Sequence, residues 1–251
     1  MEFEQYKAAF DRDGFVIVRQ LLPPVELADL KTNLDRYIRE IVPALPDSDA
    51  FYEEKGNPAT LKQLQCLGKN DPYFQAYRRH PVWTALAQAL LGDPANAEEP
   101  EWFCKPPGNK LSTPPHQDNY YFNLKPPQVV TIWMALERVD EENGCLRYVS
   151  GSHLRGIRPH SASKIIGFSQ GITDFGPADS ALEVPISLEP GDVAVHHGNT
   201  IHRADANRSR TRSRRAFAQV FRGVSCRRDE EGFARYTANL KKQQQELGLK
   251  T

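Results

Sequence analysis

Pro114-Pro115-His116-Gln117-Asp118-Asn119-Tyr120-Tyr121-Phe122 sets a histidine and an aspartate two positions apart, directly after a pair of prolines. On an extended strand successive side chains alternate, so His116 and Asp118 leave from one face. A further histidine, His202, lies 86 positions beyond His116. It follows Pro190-Gly191-Asp192-Val193-Ala194-Val195-His196-His197-Gly198-Asn199, which reads as a strand and a tight turn. Two imidazoles and one carboxylate on one face of a metal leave three positions free, the donor set of mononuclear non-haem Fe(II) sites. The His-x-Asp pair alone carries little weight. With 7 His and 15 Asp in 251 residues, roughly 0.4 such pairs arise by chance. A hydrogen-bonded His and Asp at a strand entrance would look the same. The weight comes from the setting: prolines before, aromatics after, and a strand-turn-His element downstream.

At 251 residues and 28.4 kDa the chain suits one domain with a sizeable core. Its formal net charge is zero, so no global field recruits nucleic acid or a membrane surface. No apolar run approaches the ~18 residues of a membrane span, and the acidic start Met1-Glu2-Phe3-Glu4-Gln5 has no signal core. Cys66, Cys104, Cys145 and Cys226 show no Cys-x-x-Cys spacing, which suits buried thiols in a reducing compartment. The expectation is a soluble cytoplasmic protein.

Residues 12–18, with Gly14 followed by the β-formers Phe15-Val16-Ile17-Val18, predict a short strand that braces a sheet edge. Pro23-Pro24 opens a helix with apolar residues at Leu27, Leu30, Leu34, Ile38 and Ile41, and a second helix runs from Pro81 to Leu91 and stops at Gly92. Residues 43–60 read as a loop, and from about 98 onward strands are broken by Gly, Pro and Asn. Residues 154–182 read as a polar insertion of the kind that often forms a lid, and the tail from Asp229 reads as a surface helix. Residues 1–251 are thus expected to form one mainly β domain with flanking α. It would have a helical cap over about 23–95, a β core over about 98–222 and a tail over 229–251.

The series Asp13-Gly14-Phe15, Pro115-His116-Gln117-Asp118, Trp133, Asn143-Gly144-Cys145-Leu146, Ser150-Gly151-Ser152-His153, Pro190-Gly191-Asp192 to His202, and Arg214-Arg215-Ala216-Phe217 resembles the phytanoyl-CoA dioxygenase family. The match covers roughly residues 5–222, with the motifs in the family's order. The resemblance implies a double-stranded β-helix (a cupin-like jelly roll) with N-terminal helices packed on it. It also implies an Fe(II)- and 2-oxoglutarate-dependent dioxygenase acting on a small molecule, with O2 as oxidant and succinate and CO2 released. His202 falls where that family has its distal ligand. His197, sharing a strand face with Val193 and Val195, is expected in the core or behind the ligands.

A dicarboxylate cosubstrate needs a cation at its far end, best a bidentate Arg. Arg203, Arg208, Arg210, Arg212, Arg214 and Arg215 are available. Strand parity puts Arg214 with Ala216, Ala218 and Val220, and Arg215 with Phe217, Gln219 and Phe221. Small residues suit a ligand-filled barrel and bulky ones suit packing under a helix, which favours Arg214 and leaves Arg215 as the alternative. Arg214 also matches the family's Arg-basic-Ala motif. The His202–Arg214 spacing is one longer than the family's commonest, and Ala204 stands where many members have Ser. By resemblance Trp133, Gln117 and Lys62 join the cosubstrate site, against a core role for Trp133 and a solvent-facing one for Lys62. Asn119, Tyr120 and Tyr121 are candidate substrate contacts, and Arg155, Arg158, His160 and Lys164 of the insertion are a candidate anion site. Halogenation is disfavoured, because relatives that halogenate replace the carboxylate that Asp118 supplies. Two rival readings keep the fold: a cupin-like metalloenzyme without 2-oxoglutarate, and a non-catalytic binding protein.

Overall fold

The computed structural model describes residues 3–54, 56–165 and 168–246, with side chains at 163–169 and beyond 241 left aside. The chain begins with α1 (Lys7–Asp13), β1 (Phe15–Val18), α2 (Pro24–Glu40), β2 (Ala50–Tyr52) and β3 (Leu61–Leu64). Next come α3 (Leu67–Asn70), α4 (Pro72–Tyr77), α5 (Pro81–Leu91), β4 (Ala95–Ala97), β5 (Glu101–Lys105), β6 (Thr113–His116) and α6 (Asp118–Phe122). Then follow β7 (Leu124–Lys125), β8 (Val129–Ala135), β9 (Leu146–Val149), β10 (His160–Ile165), β11 (Phe168–Ile172), α7 (Pro177–Ser180) and β12 (Glu183–Pro185). The last elements are β13 (Val193–His197), β14 (His202–Ala204), β15 (Arg214–Gly223), β16 (Arg227–Arg228) and α8 (Glu230–Glu246).

Two antiparallel sheets face each other, as a double-stranded β-helix requires. The larger has the order β1-β13-β8-β15-β5-β3-β2, with β4 also paired to β15, and the smaller runs β12-β9-β14-β6. The prolines of β6 are tolerated because β6 is the edge of its sheet, where a missing N–H breaks no ladder. Parity sorts the larger sheet. Val130, Ile132 and Met134 of β8, with Phe217 and Phe221 of β15, pack under Leu30, Leu34 and Tyr37 of α2 and Trp83, Leu86 and Leu90 of α5. The opposite face carries Trp133, Ala135, Ala194, Ala216 and Ala218 towards Leu146 and Tyr148 of the smaller sheet. That row of alanines leaves space between the sheets, and the site occupies it.

The helices at Pro24–Glu40 and Pro81–Leu91 follow the periodicity read from the sequence. The loop expected over 43–60 instead contains β2, and with β3 it extends the larger sheet beyond β5. These strands are three and four residues long and pair across long sequence separations, which a local pattern does not reveal. The insertion folds as the β10–β11 hairpin followed by α7. No helix among the described residues is long and apolar enough to cross a membrane.

Candidate metal centre

His116 and His202 are register partners on the neighbouring strands β6 and β14, so their side chains rise side by side from one face. Their ring centroids are 4.1 Å apart. Gln117 continues the extended backbone (φ −130°, ψ 124°), and Asp118 then opens α6 two positions beyond His116. The ligand atoms of His116, Asp118 and His202 lie within 4.8 Å of one another. Asp118 Oδ1 is 3.6 Å from Nε2 of each histidine.

Each histidine is oriented from behind. His116 Nδ1 donates to Pro114 O at 2.8 Å, and His202 Nδ1 donates to Thr200 O at 3.0 Å. A carbonyl only accepts, so Nδ1 carries the proton and both Nε2 lone pairs turn to the shared space. Burial lowers the pKa of His116 and pushes that of His202 well below its ordinary value, the latter helped by His116 and His196. Both rings are therefore neutral and fit to bind a metal. Burial works to raise the Asp118 carboxyl, but His202, His196 and His116 outweigh it and hold it below the usual carboxylate range. This donor set fits an Fe(II) ion with three positions left open.

The turn before His202 depends on a close approach. Gly198 N donates to Val129 O, Gly198 O accepts from Asn119 N at 2.8 Å, and a Cβ at 198 would sit 2.4 Å from Val129 Cγ1. Only glycine lets β8, α6 and this turn meet there. Gly144, at φ +83°, likewise makes the turn into β9 in the left-handed region, where a Cβ would lie 2.5 Å from Asp205 O.

A cavity of about 120 Å³ runs from the triad between the sheets, and Lys62, Trp133 and Arg214 line it. Arg214 is buried, its guanidinium 5.2 Å above the Trp133 ring. Its Nε has no hydrogen-bond partner among the described residues. Burial pushes it down to about 10, so it stays cationic at neutral pH. A buried cation with no anion costs several kcal/mol unless a partner arrives (~3–5 when a buried pair is broken), so the site fits an anionic ligand. Arg215 faces the other way and is spent on Glu137 and Asp35, as the parity argument expects. Burial lowers the pKa of Lys62, countered in part by Glu53.

Four expected contacts make their hydrogen bonds or stacking elsewhere, although the Tyr121 ring still lies edge-on to His116 at 6.0 Å. Gln117 is fully buried and turned from the cavity: its Nε2 donates to Gly156 O and Asn199 O, and its Oε1 accepts from Arg158 N. Asn119 bonds Asn199 Oδ1 and both backbone groups of Leu124. Tyr120 stacks on His160 of the insertion at 4.0 Å, and Tyr121 donates its hydroxyl to Gln170 O. Asn119, Tyr120 and Tyr121 follow the ligands directly, and as an extended strand they would turn alternate side chains to the metal. A helix begins there instead and turns Asn119, Tyr120 and Tyr121 towards the turn at 198–200, the hairpin and Tyr236 of α8. Of the candidate anion site in the insertion, Arg158 is paired instead with Asp174 and Asp179. The side chain of Lys164 lies outside the described residues.

Other residues of the site escaped the sequence reading. His196 and Thr131 both reach Asp118 Oδ2, at 3.0 and 2.6 Å. Lys105, the register partner of Arg214, points into the cavity end and donates to Leu111 O, Ala204 O and Asp205 O. Burial, then Arg214, pushes its amine down to about 6. Glu101, opposite Ala218, bonds Gln63 Nε2 at 3.2 Å, and burial pushes its carboxyl up to about 7. The signal for His196 was present: it shares a strand face with Ala194, opposite to that of Val193, Val195 and His197.

The family model for phytanoyl-CoA dioxygenase (PhyH) matches residues 10–216. A probable phytanoyl-CoA dioxygenase of Caenorhabditis elegans is 27% identical over 246 residues, covering 90% of this chain and 75% of that one. The peroxisomal phytanoyl-CoA dioxygenase of Rattus norvegicus is 27% identical over 223 residues, covering 83% of this chain and 65% of its own length. Among solved structures, EvdO2 of Micromonospora carbonacea var. aurantiaca complexed with 2-oxoglutarate superposes with a TM-score of 0.69 at 26% identity, covering 88% of this chain and 90% of that one. The chain belongs to the phytanoyl-CoA dioxygenase family.

Proposed function

We propose that the protein is an Fe(II)- and 2-oxoglutarate-dependent dioxygenase that hydroxylates a small organic molecule. The observation that carries this reading is Arg214, a buried cation that lines the same cavity as the triad and whose Nε has no hydrogen-bond partner among the described residues. His116 and His202 would hold iron through Nε2 and Asp118 through Oδ1. Arg214 would take the far carboxylate of 2-oxoglutarate in a charge-assisted pair. Trp133 would flank the carbon chain and Lys62 would add positive potential along the wall. Bound iron and 2-oxoglutarate supply the activation of O2, with 2-oxoglutarate leaving as succinate and CO2. The chain's own share is to position both and to keep water out between the sheets. The 2-oxoglutarate bound in EvdO2 supports this assignment.

A cupin-like enzyme without 2-oxoglutarate would have no use for a buried Arg214. A protein that only binds a ligand would have none for two histidines fixed with Nε2 free. The four cysteines are free thiols, which fits the cytoplasm as the proposed compartment.

Anaerobic protein given Fe(II) and 2-oxoglutarate should develop the weak visible charge-transfer band of a chelated 2-oxo acid. Under oxygen it should then release succinate, faster in the presence of a true substrate. No band and no succinate across a broad screen would reject the proposal.

A further inference from the structure

His196 is a third imidazole at the centre, outside the triad. It stands on β13 opposite Thr131 of β8, and both side chains point between the sheets. Its ring centroid is 4.3 Å from that of His202. Its Nε2 nevertheless meets Asp118 Oδ2 at 3.0 Å, away from the space shared by the triad, and Thr131 Oγ1 donates to the same oxygen at 2.6 Å. An ionised carboxylate only accepts, so Nε2 carries the ring's proton and Nδ1 is left as an acceptor. The Tyr148 hydroxyl, 2.9 Å away, donates to that Nδ1. Tyr148 is fully buried and stacked on Phe15 at 4.8 Å, so the hydroxyl is fixed. The result is an oriented row, Tyr148 to His196 to Asp118.

The two carboxylate oxygens are thereby made unequal. Oδ2 receives two donors, while Oδ1 is 3.6 Å from both ligand nitrogens. A carboxylate left free can grip a metal with one oxygen or with both. Gripping with both would close one of the three positions that the triad leaves. A chelating 2-oxo acid needs two of them and dioxygen needs the third.

We propose that His196, held by Tyr148 and assisted by Thr131, is a positioning residue that restricts Asp118 to ligation through Oδ1 and so keeps three metal positions open. The inference rests on the iron reading above. Replacement by His196→Phe removes the donor and keeps the bulk, His196→Gln keeps an N–H donor, and Tyr148→Phe leaves His196 in place without its anchor.

The probes are Fe(II) affinity measured anaerobically and the visible spectrum of the Co(II)-loaded protein, whose band shape reports the ligand field at the metal. His196→Phe should weaken Fe(II) binding about 10- to 100-fold, the range for groups bonded behind metal ligands, and should change the Co(II) spectrum. His196→Gln should restore most of both, and Tyr148→Phe should shift them in the same direction as His196→Phe. Equal Fe(II) affinity and an equal Co(II) spectrum in His196→Phe would overturn the role. So would equal damage in His196→Gln and His196→Phe, which would make it packing. If His196→Phe does not fold, an unchanged Co(II) spectrum in folded Tyr148→Phe overturns it instead. Wild-type protein that takes up neither metal would defeat the iron reading itself; normal wild-type uptake with an unaffected His196→Phe defeats this inference alone.

Discussion

His116 and His202 are built alike: each gives its Nδ1 proton to the carbonyl two residues before it and leaves Nε2 bare. Because the rings are buried and neutral without a metal, little must change for one to bind. Iron loading should therefore depend steeply on them. His116→Ala or His202→Ala should abolish stoichiometric Fe(II) binding with the fold kept, measured anaerobically by metal analysis beside circular dichroism. Undiminished iron in either variant would remove that residue from the centre. This pair was legible in sequence because one motif and one strand-turn-His element carry it. His196 was missed, although the parity rule that separates Arg214 from Arg215 separates it from His197 too. The parity rule set His197 aside with Val193 and Val195, but its other half, that His196 then faces the cavity with Ala194, was not drawn.

At the scale of elements, the junction of β6 and α6 does two tasks. It presents His116 and Asp118 to the cavity, and on its other side Gln117 ties the insertion and the turn at 199 to the ligand strand. Replacing Gln117 by Leu removes three hydrogen bonds and leaves one buried partner, Asn199 O, unsatisfied, at a cost of about 1–3 kcal/mol. Urea unfolding should show that loss, and limited proteolysis should cut residues 156–176 faster. An unchanged cleavage rate would mean that the insertion is held by other contacts, such as the Tyr120–His160 stack. The switch from strand to helix at Asp118 explains why the substrate candidates were misplaced. Asn119-Tyr120-Tyr121-Phe122 has the aromatic, β-favouring composition of a strand, but Asn119 is tied to the distant turn through its N–H to Gly198 O and its side chain to Asn199, and the segment is helical. Such non-local bonds leave no periodic trace. The long helices and the strand at Phe15–Val18 were readable because their apolar spacing is local.

Across the whole molecule, two sheets enclose a cavity lined by the metal triad and by the buried cation Arg214. Glu101, on β5 opposite Ala218 and bonded to Gln63, gives the metal-free fold a pH dependence. Its folded pKa, about 7, is raised above the ordinary 4.5. The stability it contributes is thus fully present below about pH 4.5 and is lost as pH rises through 7. Relative to Glu101→Gln, the wild type should lose on the order of 3 kcal/mol between pH 4.5 and 8, at ~1.4 kcal/mol per pKa unit. Parallel pH profiles of urea stability would contradict it. The buried cation bears on the central claim, that one cavity joins the triad to an anion held by Arg214. Titrating the charge-transfer band with 2-oxoglutarate tests it most directly. Arg214→Ala should weaken affinity roughly thirtyfold or more, as losing one partner of a buried charged pair costs about 2–5 kcal/mol. Arg214→Lys should recover only part, because it keeps the charge and loses the planar fork. Arg212→Ala, partly exposed and paired with Asp140 and Glu142, should change affinity less than about fivefold. An Arg214→Ala protein that binds 2-oxoglutarate like the wild type, with the loss appearing in Arg215→Ala instead, would contradict the account.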